Sequence, residues 1–185
     1  PLRLLIDTGA SHALSFYSND STNSVEVPEK SFHSFLGRGL NGDVYGEIGR
    51  INEFEIGGFK LQAPIASFPE PVAVQLALEL STRDGSLGSD ILQHFRVVFD
   101  YPREILYLKK GANYRKSFNY NMSGIDLATP VPGLPYYEVS AIREDSPAAV
   151  AGIKKRDLLV SINGQWVSNY TLGSITRILR EKANK

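Results

Sequence analysis

The chain has 185 residues, of which 42% are hydrophobic, which is enough to form the core of one ordinary domain or of two small ones. Twenty basic residues balance twenty acidic ones, and no block rich in lysine or arginine stands out. This balance argues against a nucleic-acid-binding protein. The absence of cysteine excludes disulfides, thiolate metal sites and a cysteine nucleophile. No apolar run approaches the roughly 18 residues that a membrane-spanning helix needs.

The first half of the chain has the pattern of many short strands separated by turns that contain glycine and proline. Residues 2–6 form a compact apolar run, which predicts a buried strand. Residues 50–61 carry apolar side chains on both sides of Gly57–Gly58, which indicates a hairpin. Two further short strands are predicted at 96–100 and 105–108, joined by a proline-containing turn.

A polar stretch at residues 113–118 predicts a linker between a first domain at 1–112 and a second at 119–185. After the linker the apolar pattern starts again. Strands are predicted at 136–142 and 158–162. This pattern of apolar runs and turns favours a mainly β first domain and a small α+β second domain.

Two helices are predicted in the second domain. Ser146–Pro147 supplies an N-cap and a proline at the first helical position, and Gly152 ends that segment. Thr171 can cap a second helix whose apolar residues lie on one face. The chain then reaches Lys185 without a closing strand, so we expect the second domain to be incomplete at its C-terminal end.

The most informative stretch is the triplet Asp7-Thr8-Gly9, which follows the apolar run and precedes two small residues. Gly9 lets the backbone come close and donate its N–H to the Asp7 carboxylate. The Thr8 hydroxyl can reach a neighbouring chain, and the Ser11 hydroxyl can support the carboxylate. The triplet alone occurs by chance in about one such chain in ten, as an ordinary strand-to-turn junction, but its flanks make chance about a hundredfold less frequent.

With these residues the chain resembles the retropepsin-like aspartic proteases over roughly residues 1–110. Residues 37–46 are dense in glycine and stand where the family has its flap, although a plain flexible loop is the alternative. Residues 85–92 resemble the family's apolar-glycine segment, with Ser86 where a bulky residue is usual. Residues 97–108 resemble its closing hairpin. The candidate flap residues are Gly37, Gly39, Leu40, Asn41 and Gly42.

The resemblance implies a retropepsin-like lobe, a closed β-barrel or sandwich with a flap hairpin, that acts as an aspartic-type endopeptidase on polypeptides. In this mechanism two Asp carboxylates face each other across one water and share a proton. One carboxylate deprotonates the water, and the other donates a hydrogen bond to the scissile carbonyl. The resemblance implies no cofactor and no metal ion, and His12, His33 and His94 are dispersed without metal-ligand spacing.

The chain has only one Asp-Thr-Gly triplet, so Asp7 cannot complete such a site by itself. The second Asp-bearing lobe is expected either from a second copy in a homodimer or from a part of the protein that precedes Pro1. Both alternatives are open, and the chain alone need not be active.

Residues 145–164 are similar to the PDZ sequence that runs from Ser-Pro-Ala through a short helix to an apolar strand and Asn-Gly, with Arg156 where a glycine is usual. PDZ domains bind a peptide C-terminus as an added strand, with its carboxylate held by backbone N–H groups. By position, residues 121–125 form the carboxylate loop, 125–128 the receiving strand and 171–180 the groove helix. The candidate peptide-binding residues are Ser123, Gly124, Ile125 and Leu127.

Ser123 stands where PDZ domains favour a bulky apolar residue, and a PDZ fold that serves only for packing is the alternative. For the whole chain, the rival to the protease is a non-catalytic peptide-binding module with an inactive protease-like lobe. A purely structural, dimerising protein is the third interpretation. The combined layout resembles bacterial proteins that are exported or periplasmic.

Overall fold

The computed structural model describes residues 1–17, 25–39, 42–80 and 82–180. The chain divides into two compact units, unit 1 at Pro1–Phe118 and unit 2 at Asn119–Lys185. Strands dominate unit 1, whereas unit 2 combines short strands with helices, so the predicted fold class is confirmed. Among the described residues, none of the helices has the length and apolar character that crossing a bilayer requires.

Unit 1 is built on a six-stranded sheet in the order β1-β8-β2-β7-β4-β3, with two separate hairpins, β5–β6 and β9–β10. Within the described residues this sheet is open, with β1 and β3 at its edges, so the closed barrel among the predictions is not present. The elements are β1 (Leu4–Ile6), β2 (Leu14–Phe16), β3 (Ser31–Gly39), β4 (Gly42–Arg50), β5 (Glu53–Ile56), β6 (Phe59–Gln62), β7 (Ile65–Pro69), α1 (Pro71–Leu80), β8 (Gly85–Leu87), α2 (Ser89–Leu92), β9 (Phe95–Asp100) and β10 (Ile105–Lys110).

The centre of the sheet is the best-buried part of unit 1. All residues of β2 and β8 are buried, and each strand lies between two neighbours in the sheet. Phe118 is also buried in this core and stacks on the His94 ring with 4.4 Å between centroids. Residues 113–118, for which the sequence predicts a linker, are therefore included in unit 1.

The expected burial of the first strand is wrong. β1 pairs only with β8, in parallel, and its other edge has no neighbour among the described strands. Leu5 is 43% exposed and Ile6 is 36% exposed. An apolar run of this length cannot distinguish a central strand from an edge strand, because the order of strands in the sheet decides burial.

The two predicted hairpins of unit 1 are confirmed. β5 and β6 pair antiparallel around Gly57 and Gly58, whose φ angles of 57° and 78° are those of a two-residue hairpin turn. β9 and β10 pair antiparallel around a 3₁₀ turn at Tyr101–Arg103. Helix α1, in contrast, was not predicted from the sequence.

In unit 2 the sheet has the order β11-β12-β13, and β14–β15 is a separate hairpin. Both predicted helix caps are present: Ser146 Oγ accepts the Ala149 N–H at 3.2 Å, and Thr171 Oγ1 accepts the Ser174 N–H at 3.2 Å. The elements are β11 (Ile125–Ala128), β12 (Tyr137–Ile142), α3 (Pro147–Val150), β13 (Leu158–Leu159), β14 (Ser161–Ile162), β15 (Gln165–Trp166) and α4 (Leu172–Arg180).

Candidate active site and peptide-binding site

Asp7 is the first residue after β1 and begins a tight turn. Its N–H donates to Leu87 O at 2.9 Å, which ties the start of the turn to the end of β8. Asp7 Oδ1 accepts the N–H groups of Gly9 at 3.0 Å and Ala10 at 3.1 Å. Oδ2 takes part in neither bond, and the side chain is only half-buried. The turn therefore orients one carboxylate oxygen and leaves the other available.

The segment from β8 into α2 packs directly behind this turn. Ser89 donates both its N–H and its hydroxyl to Ala10 O, each at 2.8 Å. Gly88 donates its N–H to Ala13 O at 3.0 Å. A Cβ at Gly88 would lie 2.1 Å from His12 O, so only glycine fits this close approach.

His12 and Ser86 form a polar pair beside the Asp7 turn that the sequence did not reveal. His12 Nε2 lies 2.9 Å from Ser86 Oγ, and the serine is 5% exposed. Burial lowers the pKa of His12, and the negative charges of Asp7 and Asp90 oppose that change. The pair explains why a serine occupies a position where a bulky residue was expected, because it gives a half-buried imidazole a hydrogen-bond partner.

Thr8 and Ser11 are both exposed beside Asp7. Within the described part of the chain, no hydrogen bond joins the Ser11 hydroxyl to the Asp7 carboxylate, so the supporting contact expected of Ser11 is not seen. The backbone N–H groups of Gly9 and Ala10 hold the carboxylate instead. No group of three or more His, Asp or Glu side chains in the described ranges is placed to hold a metal ion.

The candidate flap is the hairpin formed by β3 and β4. Its register shifts between Phe35 and Gly37, which is a β-bulge. Gly37 has φ of 146° and Gly42 has φ of 123°, conformations that favour glycine. Arg38 and Asp43 pair across the two strands at 2.9 Å, next to Gly39. Two of the predicted flap residues, Leu40 and Asn41, lie outside the described residues.

In unit 2 the four candidate peptide-binding residues lie along one loop and strand, with α4 beside β11. Ser123 N–H and Oγ both donate to Asn121 Oδ1, at 3.0 Å and 2.6 Å. Gly124 has φ of 83°, which a glycine adopts readily. Ile125 is buried against Val139 and Ala148, and Leu127 is half-buried.

Comparison with known families agrees with this two-part arrangement. A family model described as an aspartyl protease matches residues 1–91. A second model, described as a PDZ domain, matches residues 138–185, a range that begins within β12 and leaves out β11 and the preceding loop. No curated protein and no solved structure gave a match.

Proposed function

We propose that this chain, which carries an aspartyl protease domain followed by a PDZ domain, is part of an aspartic-type endopeptidase that acts on polypeptides. The observation that carries the proposal is the Asp7 carboxylate, which two backbone N–H groups hold by one oxygen at the exposed end of an edge strand. Asp7, Thr8 and Gly9 form the catalytic turn. Ser11, which is exposed and makes no hydrogen bond to the Asp7 carboxylate here, is proposed to support the carboxylate only in the assembled site.

The reaction needs a second carboxylate opposite Asp7. The pair shares one proton, because two like charges at that distance do not both ionise. The ionised member accepts a proton from the bound water, whose oxygen attacks the scissile carbonyl carbon. The protonated member donates its proton to the carbonyl oxygen, and the amide nitrogen is later protonated as the C–N bond breaks. Every proton comes from the water or from the pair.

The second carboxylate comes from a second copy of this chain or from another lobe of the same protein. The surroundings of Asp7 support such a partner, because Thr8 is exposed and the apolar side chains of Leu5 and Ile6 are exposed beside it. Apolar side chains on a free strand edge favour contact with another chain or lobe.

The substrate is an extended polypeptide that lies beneath the β3–β4 hairpin, the flap. Its described glycines, Gly37, Gly39 and Gly42, would close over the peptide, and the other two predicted flap residues, Leu40 and Asn41, lie outside the described residues. The PDZ domain recognises or positions polypeptide through the region of Ser123, Gly124, Ile125 and Leu127.

The substitution Asp7→Asn in the intact protein tests the activity. It keeps the size of the side chain but removes the acid, so the rate of peptide hydrolysis at acid pH should fall by about a thousandfold or more. Asp145→Asn, the same change on an exposed turn of unit 2, is the control and should leave the rate unchanged.

Undiminished hydrolysis by the Asp7→Asn protein would rule out the proposed mechanism. If the unaltered protein does not cleave any peptide but still binds one, the non-catalytic peptide-binding module is the correct interpretation.

A further inference from the structure

The loop at residues 121–125, here called the carboxylate loop, stands where a PDZ domain binds the end of a peptide. That mode of binding requires backbone N–H groups that point into the groove and are open to the terminal carboxylate of the ligand. Whether a PDZ domain selects a free C-terminus therefore depends on where the N–H groups of this loop point, and on what they already bind.

Three N–H groups of the carboxylate loop already have partners within unit 2. Met122 N–H donates to Leu179 O of α4 at 3.3 Å. Ser123 N–H donates to Asn121 Oδ1 at 3.0 Å, and Ile125 N–H donates to Ser123 Oγ at 3.4 Å. These three acceptors within the chain compete with a peptide carboxylate for the N–H groups of Met122, Ser123 and Ile125.

The Asn121 side chain is central to this arrangement because it uses both ends of its amide. Its oxygen accepts two bonds from Ser123, from the N–H and from the hydroxyl, and its nitrogen donates to Ile125 O. The Asn121 amide therefore occupies one backbone donor of the loop, Ser123 N–H, and the first carbonyl acceptor of β11, Ile125 O.

The rest of the unit holds the loop in this conformation. Arg143 N–H donates to Gly124 O at 2.8 Å, and Ala148 N–H donates to Ser123 O at 3.0 Å. A Cβ at Gly124 would lie 2.1 Å from Ser146 Cβ, so the loop packs tightly on the residue before α3. Transferring its N–H groups to a ligand would break the bonds that they make within unit 2.

The edge of β11 remains usable further along the strand. Gly124 O is bonded to Arg143 N–H at the end of β12, so the backbone groups of Ile125 point to the opposite side, toward α4. After the bulge, Leu127 pairs with Val139, whose N–H and C=O are bonded to Asp157 and Arg156, next to β13. The backbone groups of Leu127 therefore also point toward α4, and no hydrogen bond within the described residues occupies them.

We propose that the PDZ domain of this protein binds an internal, extended segment of a polypeptide along β11 from Leu127 onward, and that it does not select a free C-terminus. The inference rests on the proposed peptide-binding role of unit 2 and specifies the class of ligand. An internal segment also suits an endopeptidase, whose cleavage sites lie within chains.

The test uses the whole chain and a library of random decapeptides, synthesised once as free acids and once as C-terminal amides. The best binders are remeasured as matched pairs by fluorescence anisotropy. We expect the two Kd values of each pair to agree within about twofold. Free acids that bind at least about tenfold more tightly than their amides would overturn the inference but leave the peptide-binding role intact. Binding of neither form would overturn both.

Asn121→Ala sharpens this test, because it frees Ser123 N–H and Ile125 O. The free-acid form should then gain affinity over the amide by about tenfold, whereas Asn169→Ala, the same change on an exposed residue of unit 2, should leave the ratio near one. Ser123→Ala frees only Ile125 N–H and should act in the same direction, which covers the case that Asn121→Ala does not fold. If the ratio of free-acid to amide affinity is unchanged in every folded variant, the bonds from Asn121 and Ser123 do not keep the loop from binding a terminal carboxylate, and the inference is contradicted.

Discussion

The turn at Asp7 and the carboxylate loop at Asn121 use the same local device and reach opposite results. In each, a short polar side chain accepts the N–H of the residue two positions later, at 3.0 Å in both cases. Asp7 makes its bonds through one oxygen and keeps the other available. Asn121 uses its oxygen and its nitrogen within the loop. An aspartate in such a turn can present a reactive group, whereas an asparagine in the same turn can remove binding groups from use.

The surroundings of the two turns extend this contrast. The Asp7 turn ends an edge strand on which Leu5 and Ile6 are exposed, and its contacts lie on the side of β8 and α2. The carboxylate loop is bonded to α4, to the end of β12 and to α3. The Asp7 turn therefore has an exposed side, whereas the carboxylate loop is bonded to neighbouring elements of unit 2.

Among the changes that test the difference between the two turns, Gly88→Ala should have the largest effect. The new Cβ would lie 2.1 Å from His12 O and 3.0 Å from Ala10 O, both of them backbone atoms that cannot easily move. We expect a loss of about 3 kcal/mol or more in the free energy of unfolding of unit 1, together with loss of peptide hydrolysis. Urea denaturation followed by fluorescence measures the first effect.

Gly173→Ala is the matched control for this substitution. Gly173 lies in α4, and a Cβ added there would meet no atom within 4 Å beyond its chain neighbours and the backbone of its own helix. Alanine should therefore raise the stability of unit 2 by about 0.5–1 kcal/mol through its higher helix propensity. Equal effects of the two substitutions would show that Gly88 does not support the Asp7 turn as described.

A change of pH should have a smaller effect on stability, and this effect should be confined to unit 1. All three histidines of the chain, His12, His33 and His94, lie in unit 1. His94 is 1% exposed, its Nε2 donates to Lys116 O at 3.1 Å, and its Nδ1 has no partner among the described residues. Burial lowers the pKa of His94, with Asp90 opposing the change.

The sign of the pH dependence follows from that direction. As the pH falls below the ordinary histidine value, the unfolded chain binds a proton before the folded unit does, so stability is lost. The melting temperature of unit 1 should therefore fall by a few degrees between pH 7 and pH 5. His94→Gln, which keeps a donor for Lys116 O and does not titrate, should reduce this slope. An unchanged slope would mean that His94 does not contribute to the pH dependence.

Local patterns in the sequence predicted much of the fold. Gly57–Gly58 indicated the β5–β6 hairpin, and the caps at Ser146 and Thr171 indicated two helices, because these features depend on neighbouring residues. The Asp7 turn was also recognised from its own sequence. Each of these signals lies within a few residues of the structure that it predicts.

Features that depend on distant residues were not predicted. The exposure of β1 depends on its edge position in the sheet, and the His12–Ser86 pair joins residues 74 positions apart. The bonds of Asn121 involve only nearby residues. Asparagine is so common in turns, however, that the sequence does not show whether the N–H groups of this loop are bonded within the chain or free for a ligand. The closed barrel came from family resemblance and is not present in the described strands.

The most direct measurement of the central claim is the binding of a peptide whose scissile amide is replaced by a hydroxyl-bearing mimic of the tetrahedral intermediate. Calorimetry on the intact protein should give at least about a hundredfold weaker binding for Asp7→Asn than for the unaltered protein, since such mimics depend on the carboxylate pair. Asp145→Asn, the exposed control used above, should bind the mimic as the unaltered protein does. Equal affinity of the Asp7→Asn and unaltered proteins would contradict the account.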